Sequence, residues 1–175
     1  MTDLRRHIRT IVDYPKPGIQ FRDITTLLLD GPAFAATITQ LAALVAGPVD
    51  LIAGIEARGF VFGAALADRL GCGLVLLRKK NKLPGAVLGV NYALEYGQDR
   101  IEMHADAVAA GARVLVIDDL IATGGTALAA VQLLRMVGAE VTAAAFVIDL
   151  PDLGGAARLR EAGVKVEALV EFAGE

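Results

Sequence analysis

A chain of 175 residues has the length of a single domain, and its 55% hydrophobic content is ample for a buried core. A formal net charge of -3 leaves no electrostatic footprint for nucleic acid, and no uncharged apolar run approaches the roughly eighteen residues of a membrane span. One cysteine, Cys72, excludes an internal disulfide and fits a reducing cytoplasm, and the charged start of the chain (Asp3, Arg5, Arg6, His7, Arg9) has no apolar signal-peptide core.

Thr2 to Val12 reads as a helix, with Leu4, Ile8, Ile11 and Val12 on one face and Thr2 as its cap. Tyr14-Pro15-Lys16-Pro17-Gly18 breaks it, because two prolines and a glycine leave no regular structure. Ile19 to Thr25 follows, then Gly31-Pro32. Phe34, Ile38, Leu41, Ala42 and Val45 then space a helix over 33–45. Gly47-Pro48 ends it. Val49 to Ile55 is a strand, Glu56-Ala57-Arg58-Gly59-Phe60 its exit loop, and Phe60 to Leu70 a helix. Arg58 stands where a helix begins, and a helix amino terminus repels cations, so this arginine needs an anion as partner.

Gly73 to Leu77 is a short apolar strand running into Arg78-Lys79-Lys80-Asn81-Lys82, a basic group placed to meet a polyanion. The stretch from Gly85 to Gly97 alternates as a hairpin does. Asp99 to Ala109 reads as a short helix stopped by Gly111. Neither His7 nor His104 has company of metal-ligand spacing. After the next strand, Ala127 to Val137 is helical, Glu140 to Ile148 a strand, Leu153 to Ala162 a helix and Val164 to Phe172 a last strand. The alternation predicts an α/β fold of three layers around a parallel central sheet, in one domain over residues 1–175.

The chemistry gathers in Val114-Leu115-Val116-Ile117-Asp118-Asp119-Leu120-Ile121-Ala122-Thr123-Gly124-Gly125-Thr126. Its apolar start is a strand buried on both faces, and ligands of open α/β sheets collect beyond such strand ends. Gly124 and Gly125 let backbone N–H groups approach a ligand, the following helix adds its positive end, and Thr123 and Thr126 add hydroxyls. That is a cradle for one phosphate. Asp118 and Asp119 only accept hydrogen bonds at neutral pH, which suits sugar hydroxyls or a metal-bound water. The lysine of a Walker A loop and the spacing of a dinucleotide fingerprint are both missing.

This string resembles the 5-phosphoribosyl pyrophosphate (PRPP) motif of the type I phosphoribosyltransferases. The resemblance implies that Asp118 and Asp119 hold the ribose hydroxyls. It gives the 5′-phosphate to Ala122, Thr123, Gly124, Gly125 and Thr126, and the pyrophosphate to Arg58, Arg78, Lys79 and Lys82. Pro17-Gly18-x-x-Phe21-Arg22-Asp23-Ile24 and Arg78-Lys79-x-x-Lys82-Leu83-Pro84-Gly85, followed by Tyr92-x-Leu94-Glu95-Tyr96-Gly97, are similar to the adenine-specific subgroup. Phe21 would then stack on the base, with backbone groups beside it, at Gln20 and Arg22, reading the base edge, in a hood over about residues 13–27. A flap over about residues 79–100 would close the site with Tyr96, and Glu95 would handle a proton on the base. The resemblance further implies Mg²⁺ carried by PRPP and water rather than by protein ligands, adenine and PRPP as substrates, no nucleic-acid or membrane partner, and a homodimer. A transferase for another purine, or a PRPP-sensing regulator on the same fold, is the alternative. Asp149 to Arg158 departs from the family, where a glutamate and a Gly-Arg-x-Lys stretch are usual. The departure is expected to bear on local packing or dimer contacts and not on the chemistry.

Overall fold

The structure is a computed structural model describing residues 3–93 and 97–174. Its main sheet has seven strands: β3 (Leu51–Ile55), β4 (Gly73–Lys79), β5 (Val87–Ala93), β6 (Gln98–His104), β7 (Arg113–Ile121), β8 (Glu140–Asp149) and β9 (Lys165–Glu171), in the order β5-β6-β4-β3-β7-β8-β9. From β4 through β9 in that order the neighbours are parallel; β6 runs antiparallel to both β4 and β5. The parallel sheet expected from the alternation therefore carries an antiparallel hairpin on one edge. A separate two-stranded sheet pairs β1 (Arg9–Val12) with β2 (Gln20–Asp23).

Among the described residues five α-helices complete the layers: α1 (Thr25–Leu29), α2 (Gly31–Leu44), α3 (Arg58–Leu70), α4 (Gly125–Met136) and α5 (Gly155–Glu161). Strand β7 shows why the sheet is covered on both sides. Its side chains alternate, so Val114 and Val116 enter one core with Ala127, Ala130 and Leu134 of α4, while Leu115 and Ile117 enter another with Phe62 and Leu66 of α3. Phe62, Val116 and Ile117 have no exposed surface.

The order of strands positions the site. β3 leads through α3 to β4 on one side, and β7 leads through α4 to β8 on the other. β3 and β7 are neighbours whose connections part in opposite directions, which opens a crevice beyond their carboxyl ends. Gly59 in the first turn of α3 closes that corner tightly: a Cβ there would stand 2.7 Å from the Ile117 carbonyl oxygen and 3.0 Å from an Asp118 carboxylate oxygen.

Two elements differ from the sequence expectation. The predicted amino-terminal helix is a short 3-10 turn over Leu4–His7, capped by Asp3, followed by β1. Leu4 and Ile8 are buried as expected, but Ile11 and Val12 pair with Phe21 and Gln20, and four apolar positions are too few to separate helix from turn plus strand. The predicted helix over 99–109 is β6 up to His104. Ile101 and Met103 are buried in a period of two, and pairing with β5 and β4 overrides a weak helical pattern. β7 also runs on through Asp118 and Asp119, which lie within the strand rather than after it.

Replacing Phe62 by Ala removes the largest side chain between α3 and the sheet. It should lower unfolding stability by about 3–5 kcal/mol in urea titration; an unchanged midpoint would contradict this packing.

Candidate active site

Beyond Ile121 the chain turns through Ala122, Thr123 and Gly124 into α4. Gly124 has φ +80°, a left-handed conformation that side chains rarely adopt, and it stands at the cap position of the helix. The first turn of α4 holds no acidic residue, so its positive end faces the crevice uncompensated. Asp118, Ala122, Thr123, Gly124, Gly125 and Thr126 line one common crevice. A larger apolar pocket, lined by Val49, Val114 and Ala143, lies at the opposite end of the strands, away from the glycine-rich turn.

The two carboxylates differ. Asp119 is buried, and its Oδ2 lies 2.6 Å from Nε of Arg58. Asp118 accepts a hydrogen bond from the Asp119 backbone N–H at 2.9 Å. Burial first, and the adjacent Asp119 charge second, push the Asp118 pKa well above the ordinary carboxylate value. Arg58 opens α3 directly after a cis Glu56–Ala57 peptide bond. Its guanidinium carbon stands 5.6 Å from the Phe21 ring centre, and Phe21 meets Tyr14 edge to face at 5.3 Å. Asp119, Arg58 and Phe21 thus form a line from the strand ends to the amino-terminal hairpin.

The basic stretch is largely paired. Arg78 makes two bonds of 3.2 Å to the Glu56 carboxylate and donates to the Lys82 carbonyl at 3.1 Å. Burial opposes the charge of Glu56, yet Arg78 and the Lys79 backbone N–H together hold its pKa below the usual value. Lys79 Nζ lies 3.0 Å from Asp99, whose carboxylate also accepts from the Tyr92 hydroxyl at 3.2 Å. The Asp99 hydrogen bond raises the Lys79 pKa. Lys82 is exposed. Among the described residues no group of three His, Cys, Asp or Glu side chains is arranged to hold a metal ion.

The model of the phosphoribosyl transferase domain matches residues 25–165. The chain belongs to the phosphoribosyltransferase family. An adenine phosphoribosyltransferase of Rhodopseudomonas palustris (strain BisB18) is 58% identical over 173 residues, covering 98% of this chain and 87% of that relative. The crystal structure of adenine phosphoribosyltransferase from Thermoanaerobacter pseudethanolicus superposes with a TM-score of 0.92 at 46% identity, covering 97% of this chain and 98% of that one. The enzyme from Saccharomyces cerevisiae, solved with D-2,5-dideoxy-2,5-imino-altritol 1,6-bisphosphate and adenine, gives 0.89 at 35% identity, covering 96% and 97%.

Within this phosphoribosyltransferase fold, Phe21 stands apart from its neighbours. Strand alternation turns Gln20 and Arg22 to the other face of β2. There Arg22 donates to the Thr10 hydroxyl at 2.6 Å, to the Gln20 amide oxygen at 3.0 Å and to the Ala173 carbonyl at 3.2 Å, and covers the Phe172 ring at 4.5 Å. The Arg22 side chain ties the hairpin to the carboxyl-terminal tail, so beside Phe21 this position offers backbone groups, as expected of a backbone reading of the base edge. Glu95 and Tyr96 lie outside the described residues. The segment 149–158, expected to bear only on packing or dimer contacts, lies against the glycine-rich turn: the Gly155 N–H donates to the Ala122 carbonyl at 3.0 Å.

Glu56, Tyr92 and Asp99 join the basic stretch through pairings that no local sequence signal marks. Glu56 sits in the quoted exit loop, but its two-pronged grip on Arg78 is a contact across 22 positions. A helix over 99–109 places Asp99 away from Tyr92, whereas the β5–β6 register sets the two opposite each other.

Asp118 offers a test in which stability and pH oppose each other. Its raised pKa means that its contribution to stability is fully present below the unfolded pKa near 4 and is lost as pH rises through the folded value. Asp118→Asn removes the ionisation. The variant should melt above the parent at about pH 8, with the difference closing toward about pH 4; equal melting temperatures at the higher pH would refute the account.

Proposed function

We propose that the chain transfers the phosphoribosyl group of PRPP to adenine, giving AMP and pyrophosphate. The observation that carries this reading is the convergence of four parts at one switch point: the glycine-rich turn, the carboxylate pair, Arg58 and the Phe21 ring. Relatives and solved structures of adenine phosphoribosyltransferase that match nearly the full length support the base and the reaction.

The 5′-phosphate sits at the turn from Ala122 to Thr126, receiving backbone N–H groups, the Thr123 and Thr126 hydroxyls and the positive end of α4. The ribose hydroxyls donate to Asp118 and Asp119. Their charge also favours the positive character that develops at C1′ as the base nitrogen displaces pyrophosphate. Fixing the sugar phosphate at one end makes the displacement effectively intramolecular. Arg58 is placed between the two halves, against Asp119 and above Phe21, and turns to the pyrophosphate when the ribose takes its place on the carboxylate. Lys79, Arg78 and Lys82 add positive potential behind it, with Lys82 exposed and the other two held by Asp99 and Glu56.

Adenine stacks on Phe21. The side chains of Gln20 and Arg22 are engaged with each other and the tail, which leaves their backbone groups to read the base edge. The β1–β2 hairpin with its connecting turn acts as the hood, the β5–β6 hairpin as the flap, and residues 1–175 as one domain. Glu95 manages a proton on the base and Tyr96 closes the pocket, both on the strength of the family resemblance. Mg²⁺ bound with PRPP would supply neutralisation of the leaving group. The carboxylate pair fits that role through metal-bound water. The chain acts as a cytoplasmic homodimer without nucleic-acid or membrane partners. Its lone cysteine, the absence among the described residues of any helix long and apolar enough to cross a membrane, and the prevalence of two-fold dimers support this reading.

A radiolabelled panel of purines with PRPP and Mg²⁺ should give AMP from adenine and little product from guanine or hypoxanthine. Preference for another base, or no turnover, would remove the proposed function. Asp119→Asn should lower kcat/KM for PRPP by about tenfold or more, through loss of a charged acceptor in the site; an unchanged value would remove the ribose assignment.

A further inference from the structure

Three consecutive carbonyl groups at the phosphate turn are held from behind by one segment of the chain. The Leu150 N–H donates to the Ile121 oxygen at 3.0 Å, the Gly155 N–H to the Ala122 oxygen at 3.0 Å, and Nη1 of Arg158 to the Thr123 oxygen at 3.2 Å. In a trans peptide unit the C=O of one residue and the N–H of the next point in opposite directions. Tying the carbonyls of residues 121, 122 and 123 toward the 150–158 segment therefore turns the N–H groups of Ala122, Thr123 and Gly124 away from it, toward the crevice. Those are donors a phosphate would use.

The fit behind the turn is close. A Cβ on Gly155 would stand 2.3 Å from the Ala122 oxygen and 2.6 Å from the Gly124 nitrogen, and a Cβ on Gly124 would stand 2.9 Å from the Gly155 Cα. Only paired glycines allow this approach. Arg158 differs from the other two donors. It is a side chain, exposed, reaching back across 35 positions of sequence to a single carbonyl. It stands at the lysine position of the family's Gly-Arg-x-Lys stretch, while Ala156 replaces the arginine.

We infer that Arg158 is a positioning residue for PRPP: by holding the Thr123 carbonyl outward it aims the Gly124 N–H at the 5′-phosphate. The inference rests on reading this turn as the 5′-phosphate cradle. A charged donor on a carbonyl is stronger than a neutral one, and its loss frees the Thr123–Gly124 peptide plane to rotate. The phosphate is bound equally in ground and transition states, so the effect falls on KM and not on kcat.

The test compares Arg158→Ala and Arg158→Lys. The alanine variant should raise KM for PRPP by about tenfold, with kcat and KM for adenine within about twofold of the parent. The lysine variant keeps a charged donor and should recover most of the loss. Titration of ribose 5-phosphate by calorimetry, which needs neither base nor pyrophosphate, should show the same order of affinities: parent, then lysine, then alanine. A KM for PRPP within about twofold in Arg158→Ala would overturn the inference, as would parallel rises for both substrates with a lowered melting temperature. No binding of ribose 5-phosphate by the parent protein would instead overturn the cradle reading, and the inference with it.

Discussion

Everything in the site follows from the parting of two adjacent parallel strands. β3 and β7 lie side by side, yet α3 leaves for one face of the sheet and α4 for the other. Two loops of different sequence and purpose are thereby brought to one crevice without a direct connection between them. The contact that holds the corner is backbone against backbone: Gly59 lies against the Ile117 carbonyl, where no side chain fits. Arg58, one position earlier, is thereby fixed within reach of Asp119.

Charge around the crevice is then distributed largely in pairs. Asp119 has Arg58, Glu56 has Arg78, and Asp99 has Lys79. Asp118 stands apart from these pairs, half-buried beside the like charge of Asp119, and burial with that charge pushes its pKa upward. Strained electrostatics of this kind mark functional positions, because a ligand with hydroxyl donors relieves what the fold alone does not. The pairs around Glu56 and Asp99 serve a different end. They anchor the β4 exit and the β5–β6 hairpin to the loop that presents Arg58.

The small amino-terminal sheet is braced within itself and tied to the end of the chain. Arg9 pairs with Asp23 within it, and Arg22 reaches the tail at Ala173. The tail in turn gives the Gly174 N–H to Asp152 at 2.7 Å, in the segment that backs the phosphate turn. The β1–β2 hairpin and the glycine-rich turn are therefore joined through the last residues of the chain as well as across the crevice.

Sequence by itself determined the local grammar. The run of β-branched residues before Asp118, the glycines at 124 and 125 and the alanine-rich helix after them are consequences of short-range physics, since burial pattern, turn chemistry and helix propensity act within a few residues. Arg58 was legible for the same reason, as a cation at a helix start. What only the tertiary structure decided were pairings between distant positions. Asp99 appeared helical until β5 claimed its strand. Nothing beside Arg22 in the sequence marks its side chain as the tie to the tail at Ala173. Residues 149–158 carried no local sign that they would stand behind the phosphate turn. Such contacts depend on which element lies across the sheet, and no window of sequence contains both partners.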